Sequence, residues 1–237
     1  MQCRNPECDT NPTRSIRTGS FFVRSNHSVF RQMEIICCFV ADIRVSRCAD
    51  LLRISRRALT DYYDNLRGEY SDELVRNPIQ FTSGPIYEVD ELMLRHVLND
   101  DGVYINQWIL GMLERSTGKV LFIPVANRSA AVLLPLVQDS IPPHSLVFSD
   151  EWASYRQLNN LDYRHHHVNH RAKEYSRDEE IDGEIVKVHI NTLEGMNRVV
   201  RQRFANKSTR VISRVDLLLD EIVYRYSGRS LFHPFKV

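Results

Sequence analysis

No apolar run in this 237-residue sequence approaches the roughly 20 residues needed to span a membrane. The first residues are rich in arginine and carry cysteine, without the apolar core of a signal peptide. Cysteine is absent beyond position 48: all five, Cys3, Cys8, Cys37, Cys38 and Cys48, lie at or before it. An odd number with no secretion signal excludes a disulfide framework and points to reduced thiols inside a cell. The expected location is therefore intracellular: the nucleus of a eukaryotic host, or the cytoplasm and nucleoid of a bacterium. Cys3 and Cys8 have the look of half a zinc site, but no second Cys or His pair follows at ribbon spacing. A structural zinc takes four ligands, so zinc is not expected here. Internal repeats and low-complexity tracts are also missing, which excludes a solenoid.

What is present is an ordinary globular composition, 43% hydrophobic and 26% charged, with net charge +1. The charge is unevenly spread. Residues 1–60 hold 10 Arg against 5 acids, residues 61–194 hold 12 Lys and Arg against 22 acids, and residues 195–237 hold 9 against 3. Basic ends around an acidic middle suit a nucleic-acid enzyme with a metal-binding core.

The pattern divides the chain in four. Residues 1–28 read as irregular. Residues 29–68 read as helical, with a turn at Arg53-Ile54-Ser55, Ser55 as an N-cap, and a second helix from Arg56 that Gly68 closes. This is the length and spacing of a helix-turn-helix, in which Arg56, Arg57 and Thr60 lead the recognition helix toward DNA. Residues 69–85 read as a linker, with Asn77-Pro78 and Gly84-Pro85 as breakers. Residues 86–237 then alternate. Strands are predicted at Ile86–Val89, Trp108–Leu113, Val120–Val125, Leu146–Phe148 and Tyr163–Val168. Ser116-Thr117-Gly118-Lys119 is the turn between the second and third. Helices are predicted over Ser129–Gln138, Glu151–Leu158, Thr192–Phe204 and Val211–Tyr226, and residues 171–184 as a charged loop. The fold class is α/β: an RNase H-like mixed sheet flanked by helices, preceded by a small helical region.

Three acids stand out in this order. Asp90 and Asp150 each end a strand, and Glu194 heads a basic amphipathic helix. Cleaving or joining a phosphodiester needs an activated nucleophile and charge relief on the leaving oxygen, and two divalent ions about 3.5–4 Å apart supply both. Few carboxylates suffice for Mg²⁺ or Mn²⁺, because water and phosphate oxygens complete the shell. Glu91 and Glu151 follow the aspartates directly. Neighbours on a strand face opposite ways, so at most one of each pair can face a metal, and the aspartates are preferred. Arg198 and Arg201 share the helix face of Glu194 and could hold a DNA phosphate. The run His165-His166-His167 alternates faces and cannot bind one ion. His170 and His189 are better placed for phosphate contacts or loop anchoring.

Several short motifs occur in register. They are Glu88-Val89-Asp90-Glu91, Gln107-Trp108-Ile109-Leu110-Gly111 and Glu114-Arg115-Ser116-Thr117-Gly118-Lys119. Further on come Pro124-Val125-Ala126-Asn127-Arg128-Ser129-Ala130, Phe148-Ser149-Asp150-Glu151-Trp152-Ala153-Ser154-Tyr155 and Val168-Asn169-His170. The last is His189-Ile190-Asn191-Thr192-Leu193-Glu194-Gly195. Over residues 86 to 205 the chain resembles Merlin-type DDE transposases and their bacterial insertion-sequence relatives. The resemblance implies metal-dependent cleavage at transposon ends, then attack of a 3′-hydroxyl on target DNA. It implies terminal inverted repeats and target DNA as partners, two Mg²⁺ or Mn²⁺ ions, and a homodimer on paired ends. Asp90, Asp150 and Glu194 carry over as the triad, with Asn191 a secondary candidate because some relatives have Asn as third member. Leu92 to Asn106, with Asp100-Asp101, departs from the basic segment usual in relatives, and Arg201 stands where they usually have Lys. Two alternatives stay open: a catalytically inactive, transposase-derived DNA-binding protein, and an RNase H-like nuclease without strand transfer.

Overall fold

A computed structural model of the chain describes residues 17–18, 20–24, 26–82, 86–169, 174–205 and 210–235. Cys3, Cys8 and His170 lie outside them. The chain forms two compact units, Met1–Glu73 with Arg229–Val237, and Leu74–Gly228.

The first unit is helical: α1 (Val29–Val40), α2 (Val45–Leu52) and α3 (Arg56–Arg76). Ser28 caps α1 by accepting from Arg31 N. Between α2 and α3, Arg53 turns the chain in the left-handed region at φ 52°. Ser55 Oγ then accepts from Ala58 N at 3.2 Å, the expected N-cap. Leu59, Tyr63, Leu66 and Tyr70 form the buried stripe of α3. Tyr63 meets Phe39 edge-on and donates to Ile43 O, and Tyr62 donates to Gln32 Oε1. Gly68 does not end α3. The helix runs to Arg76, so residues 69–76, expected as linker, are its last turns. One interior glycine costs only about 1 kcal/mol. The buried stripe continues past it to Tyr70, which stacks on Phe235 and donates to Leu231 O.

The second unit is built on a five-stranded sheet of β1 (Ile86–Leu98), β2 (Tyr104–Glu114), β3 (Val120–Val125), β4 (Leu146–Asp150) and β5 (Arg164–Val168). Its order is β3-β2-β1-β4-β5. The β1–β2 and β2–β3 pairs are antiparallel, while β1–β4 and β4–β5 are parallel. Helix α4 (Ala130–Ser140) and a 3-10 helix (Ala153–Leu161) share an apolar core with Tyr87, Val89, Leu110 and Met112. Helices α5 (Asn191–Arg203) and α6 (Val215–Arg225) share another with Leu92, Leu94, Ile109 and Leu113. Alternate residues of β1 thus serve opposite cores, as a strand buried on both faces requires. This mixed sheet between helical layers is the RNase H-like architecture.

Three expectations change. Leu92 to Asn106 completes a long hairpin: Leu92, Leu94 and Val97 are buried, and Asn99 Oδ1 caps the turn from Asp101 N and Val103 N. Part of the expected 171–184 loop is strand, β6 (Arg177–Ile181) pairing with β7 (Glu184–Val188). Its charged sequence hides the period-2 signal, but Asp182 and Gly183 have φ of 54° and 82°. Positive φ at both central residues is what a tight hairpin turn requires. The expected α-helix from Glu151 is instead the 3-10 helix from Ala153.

Candidate functional site

The site is set where β1 and β4 lie side by side. Their parallel register matches Ile86 with Leu146, Tyr87 with Val147 and Glu88 with Phe148. Asp90 and Asp150 each lie two residues beyond the last of these pairs. Asp90 is in phase with Leu92 and Leu94, whose side chains enter the core shared with α5, and Asp150 is in phase with Phe148, which packs with Val168, Val188 and Ile190. Glu91 points the other way. It is held by Arg128 Nε at 2.8 Å and Nη2 at 2.5 Å, and it accepts from the buried hydroxyl of Tyr155. Arg128 in turn stacks between Trp108 and Trp152, 4.8 and 3.9 Å from the ring centres. Glu151 is exposed. The strand alternation therefore favours the aspartates over the glutamates that follow them.

Helix α5 is fastened at its start by a buried acid. Glu88, fully buried, accepts from Leu193 N at 2.8 Å and from Arg115 Nε at 2.6 Å. A carboxylate suits the positive end of a helix. Arg115 also donates to Lys187 O and His189 O, and lies over the Phe148 ring. His189 Nδ1 accepts from Asn191 N at 3.3 Å. Burial, then the neighbouring Arg115, lowers the His189 pKa, which keeps the ring neutral. Its 3.5 Å approach to Glu88 is thus no ion pair at neutral pH. His189 thus meets the start of α5 through Asn191 N.

The inward stripe of α5 is Leu193, Asn197, Val200 and Phe204. Gly111, paired with Asp90 across β1 and β2, gives this helix room. A Cβ there would lie 3.2 Å from Leu193 and 3.0 Å from Phe122. Asn197 Nδ2 donates to Asp90 Oδ2 at 2.8 Å. Asp150 Oδ1 accepts from Trp152 N at 3.0 Å, and its other oxygen lies 3.9 Å from Arg128. Burial, followed by the negative charge of Asp150 and Glu91 and, more weakly, Glu194, pushes the Asp90 carboxyl up to about 8. Asp90 is therefore a carboxyl that a neighbouring cation would strip of its proton.

Glu194 is partly buried on α5, one residue past Leu193, while Asn191, Arg198 and Arg201 are exposed. Among the described residues, no three His, Cys, Asp or Glu side chains gather closely enough to hold one ion. The expected three-carboxylate cage is thus not assembled. Asp90, inside β1, and Asp150, at the end of β4, still offer the one or two carboxylates that a hard cation of the Mg²⁺ type takes beside water and phosphate oxygens. In the helical unit Arg56 and Arg57 are exposed. Thr60 Oγ1 donates to Arg56 O at 2.8 Å, so its hydroxyl is used within the helix.

Sequence reasoning missed Asn197, and with it the anchoring roles of Glu88, Arg115 and Arg128. A signal for Asn197 existed: it is the one polar residue on the i, i+4, i+7, i+11 apolar stripe of α5. For Glu88, Arg115 and Arg128 the partners are distant in sequence, and no local pattern reveals them.

A family model described as the ISXO2-like transposase domain matches residues 98–227. A Haemophilus influenzae protein described as an uncharacterized transposase-like protein is 35% identical over 52 residues, 22% of this chain and 42% of that protein. The chain thus spans about two fifths of the curated relative it matches. Among solved structures, the HTLV-2 integrase catalytic core domain in complex with magnesium superposes with TM-score 0.36 at 10% identity, over 61% of this chain and 83% of that one. The Mos1 strand transfer complex does so with TM-score 0.29 at 11% identity, over 87% and 81%. Likenesses this distant say nothing of activity.

Proposed function

Because the chain belongs to the ISXO2-like transposase family, we propose that it is a DDE-type transposase that cleaves transposon-end DNA and joins it to a target. The observation that carries this reading is the pair Asp90 and Asp150, set on adjacent parallel strands, facing one side, with Asp150 close enough that its charge acts on Asp90. The resident cofactor of this reading is a pair of Mg²⁺ or Mn²⁺ ions, held by Asp90 and Asp150 with Glu194 nearby. Such ions activate the attacking oxygen and relieve charge on the leaving one.

The chain's own residues do the rest. Asp90 gives up its proton to become a full anion at the site. Glu88 and Arg115 hold α5 in place, so that its exposed Arg198 and Arg201 can meet the DNA backbone, where Arg pairs well with phosphate oxygens. His170 is a further phosphate contact in this scheme. In this reading residues 29–68 are the DNA-binding region and residues 86–237 the catalytic domain, with the last turns of α3 and residues 77–85 between them. Arg56 and Arg57 on α3 contact terminal-repeat DNA, two copies act on paired ends, and the reaction takes place inside the cell.

The test is cleavage and joining of terminal-repeat DNA by the purified full chain with Mg²⁺ or Mn²⁺. Wild type should nick and join, while Asp90→Asn and Asp150→Asn should lose both by several orders of magnitude and keep DNA binding. Equal cleavage by these variants would overturn the reading. One observation favours a second reading, a transposase-derived DNA-binding protein: Asp100-Asp101 stand in the Leu92 to Asn106 segment that follows the first aspartate, where relatives usually have a basic one. DNA binding by wild type with no metal-dependent nicking would select it. Nicking without joining would select a nuclease.

A further inference from the structure

Asn197 carries an amide that the fold uses only by half. The residue is 1% exposed, on the inward stripe of α5. Its Nδ2 donates to Asp90 Oδ2 at 2.8 Å, yet its Oδ1 is buried and accepts nothing. A buried acceptor left alone is uncommon in a native protein, and its usual explanation is a water or ion that belongs beside it. The surroundings say which kind of partner suits. Oδ1 is the negative end of the amide dipole, so only a hydrogen-bond donor or a cation is attracted to it. Asp90, the amide's partner, feels the negative charge of Asp150, Glu91 and Glu194, while Arg128 is bound to Glu91 and lies 3.9 Å from Asp150.

We propose that Asn197 Oδ1 is an oxygen donor to a divalent cation held with Asp90 and Asp150, so that the third protein ligand is an amide rather than a third carboxylate. The inference rests on the reading of the two aspartates as cation-binding groups. Hard divalent cations accept amide carbonyl oxygens beside carboxylates. A neutral donor also suits this place, because it adds an oxygen without adding negative charge to a crowded set of acids. The hydrogen bond from Nδ2 to Asp90 keeps amide and carboxylate together, so that a cation on one meets the other. Asn191, the secondary candidate of the sequence, is exposed at the start of α5.

The test is Mn²⁺ binding by the full-length protein without DNA, read by the electron paramagnetic resonance signal of free Mn²⁺, together with melting temperature in EDTA and in Mn²⁺. Asn197→Leu, close in volume, removes both halves of the amide. It should melt in EDTA near or above wild type while binding Mn²⁺ about tenfold more weakly or worse. Asn197→Asp should melt lower in EDTA, since it adds a carboxylate beside Asp90. It should also bind Mn²⁺ more tightly and gain more melting temperature from it. Asp90→Asn should abolish binding. If Asn197→Leu bound Mn²⁺ within about twofold of wild type, or Asn197→Asp bound it more weakly, a ligand role for the amide would be overturned. The control separates the two levels. Unchanged Mn²⁺ binding in Asp90→Asn removes the cation site altogether, whereas lost binding there with wild-type binding in Asn197→Leu removes only the amide ligand.

Discussion

Replacing Glu88 with Gln tests whether a buried acid seats helix α5. The carboxylate takes two short hydrogen bonds, from Arg115 Nε at 2.6 Å and from Leu193 N at 2.8 Å. Gln keeps the shape but has one oxygen and one NH₂, so a donor must face a donor on one side or the other. A hydrogen bond to a charged group contributes about 1.5–3 kcal/mol. Breaking a buried ion pair costs about 3–5 kcal/mol. Arg115 retains the carbonyls of Lys187 and His189 and the Phe148 ring, so it is not stranded. The expected loss therefore lies near the low end, about 3 kcal/mol, against a typical total stability of about 5–15 kcal/mol. Urea unfolding of wild type and Glu88→Gln, followed by far-UV circular dichroism, should show a lower midpoint with an unchanged slope. Arg115→Gln and the double variant close a cycle, with an expected coupling of about 1–3 kcal/mol. A loss below about 1 kcal/mol, or simple additivity of the two changes, would refute this account of how α5 is held.

Three further outcomes are expected. Gly111→Ala should lose about 1–3 kcal/mol in thermal unfolding, because the new methyl would press on Phe122 at 3.0 Å, Leu193 at 3.2 Å and the Asp90 carbonyl at 3.4 Å; wild-type stability would show that α5 does not sit this close. Arg128→Lys should lose about 2–4 kcal/mol and shift tryptophan emission, since the protein's two tryptophans, Trp108 and Trp152, both stack on this guanidinium; an unchanged spectrum counts against the stack. In EDTA, the stability that Asp90 contributes should be full below pH about 4 and lost as pH rises through about 8, because its folded carboxyl is raised above its unfolded value and holds a proton; a pH series in which Asp90→Asn keeps the wild-type slope over this range would exclude that assignment.

Much of the architecture is legible in the sequence because it is local. Alternation along Ile86–Leu94 puts Asp90 and Glu91 on opposite faces whatever they meet. Ser55 caps α3 as its position before an apolar-periodic run suggests. The turn at Ser116–Lys119 closes as its Gly118 requires, with φ +70°. The failures have local causes too. Gly68 looked like a helix end because glycine favours one, but an aromatic stripe that continues to Tyr70 outweighs a single poor helix former. The strands β6 and β7 were hidden because they are held by pairing, by the ion pair of Arg177 with Glu179 and by the hydrogen bond between His166 and Glu179, not by apolar alternation.

By itself the sequence determined that Asp150 ends a central strand, that a helix follows with Glu194, and to which face each strand side chain turns; that β1 runs on past Asp90 to Leu98 it did not show. Strand and helix periods set these things within a few residues. What only the tertiary structure decided is which group of α5 meets Asp90. That depends on how far the helix is rotated and how close it lies, and both are fixed from a distance. Glu88, more than a hundred residues before Leu193, holds its first turn. Leu92, Leu94 and Ile109 receive Leu193, Val200 and Phe204, and Gly111 leaves the gap. Packed so, the helix turns Asn197 rather than Asn191 toward the aspartate.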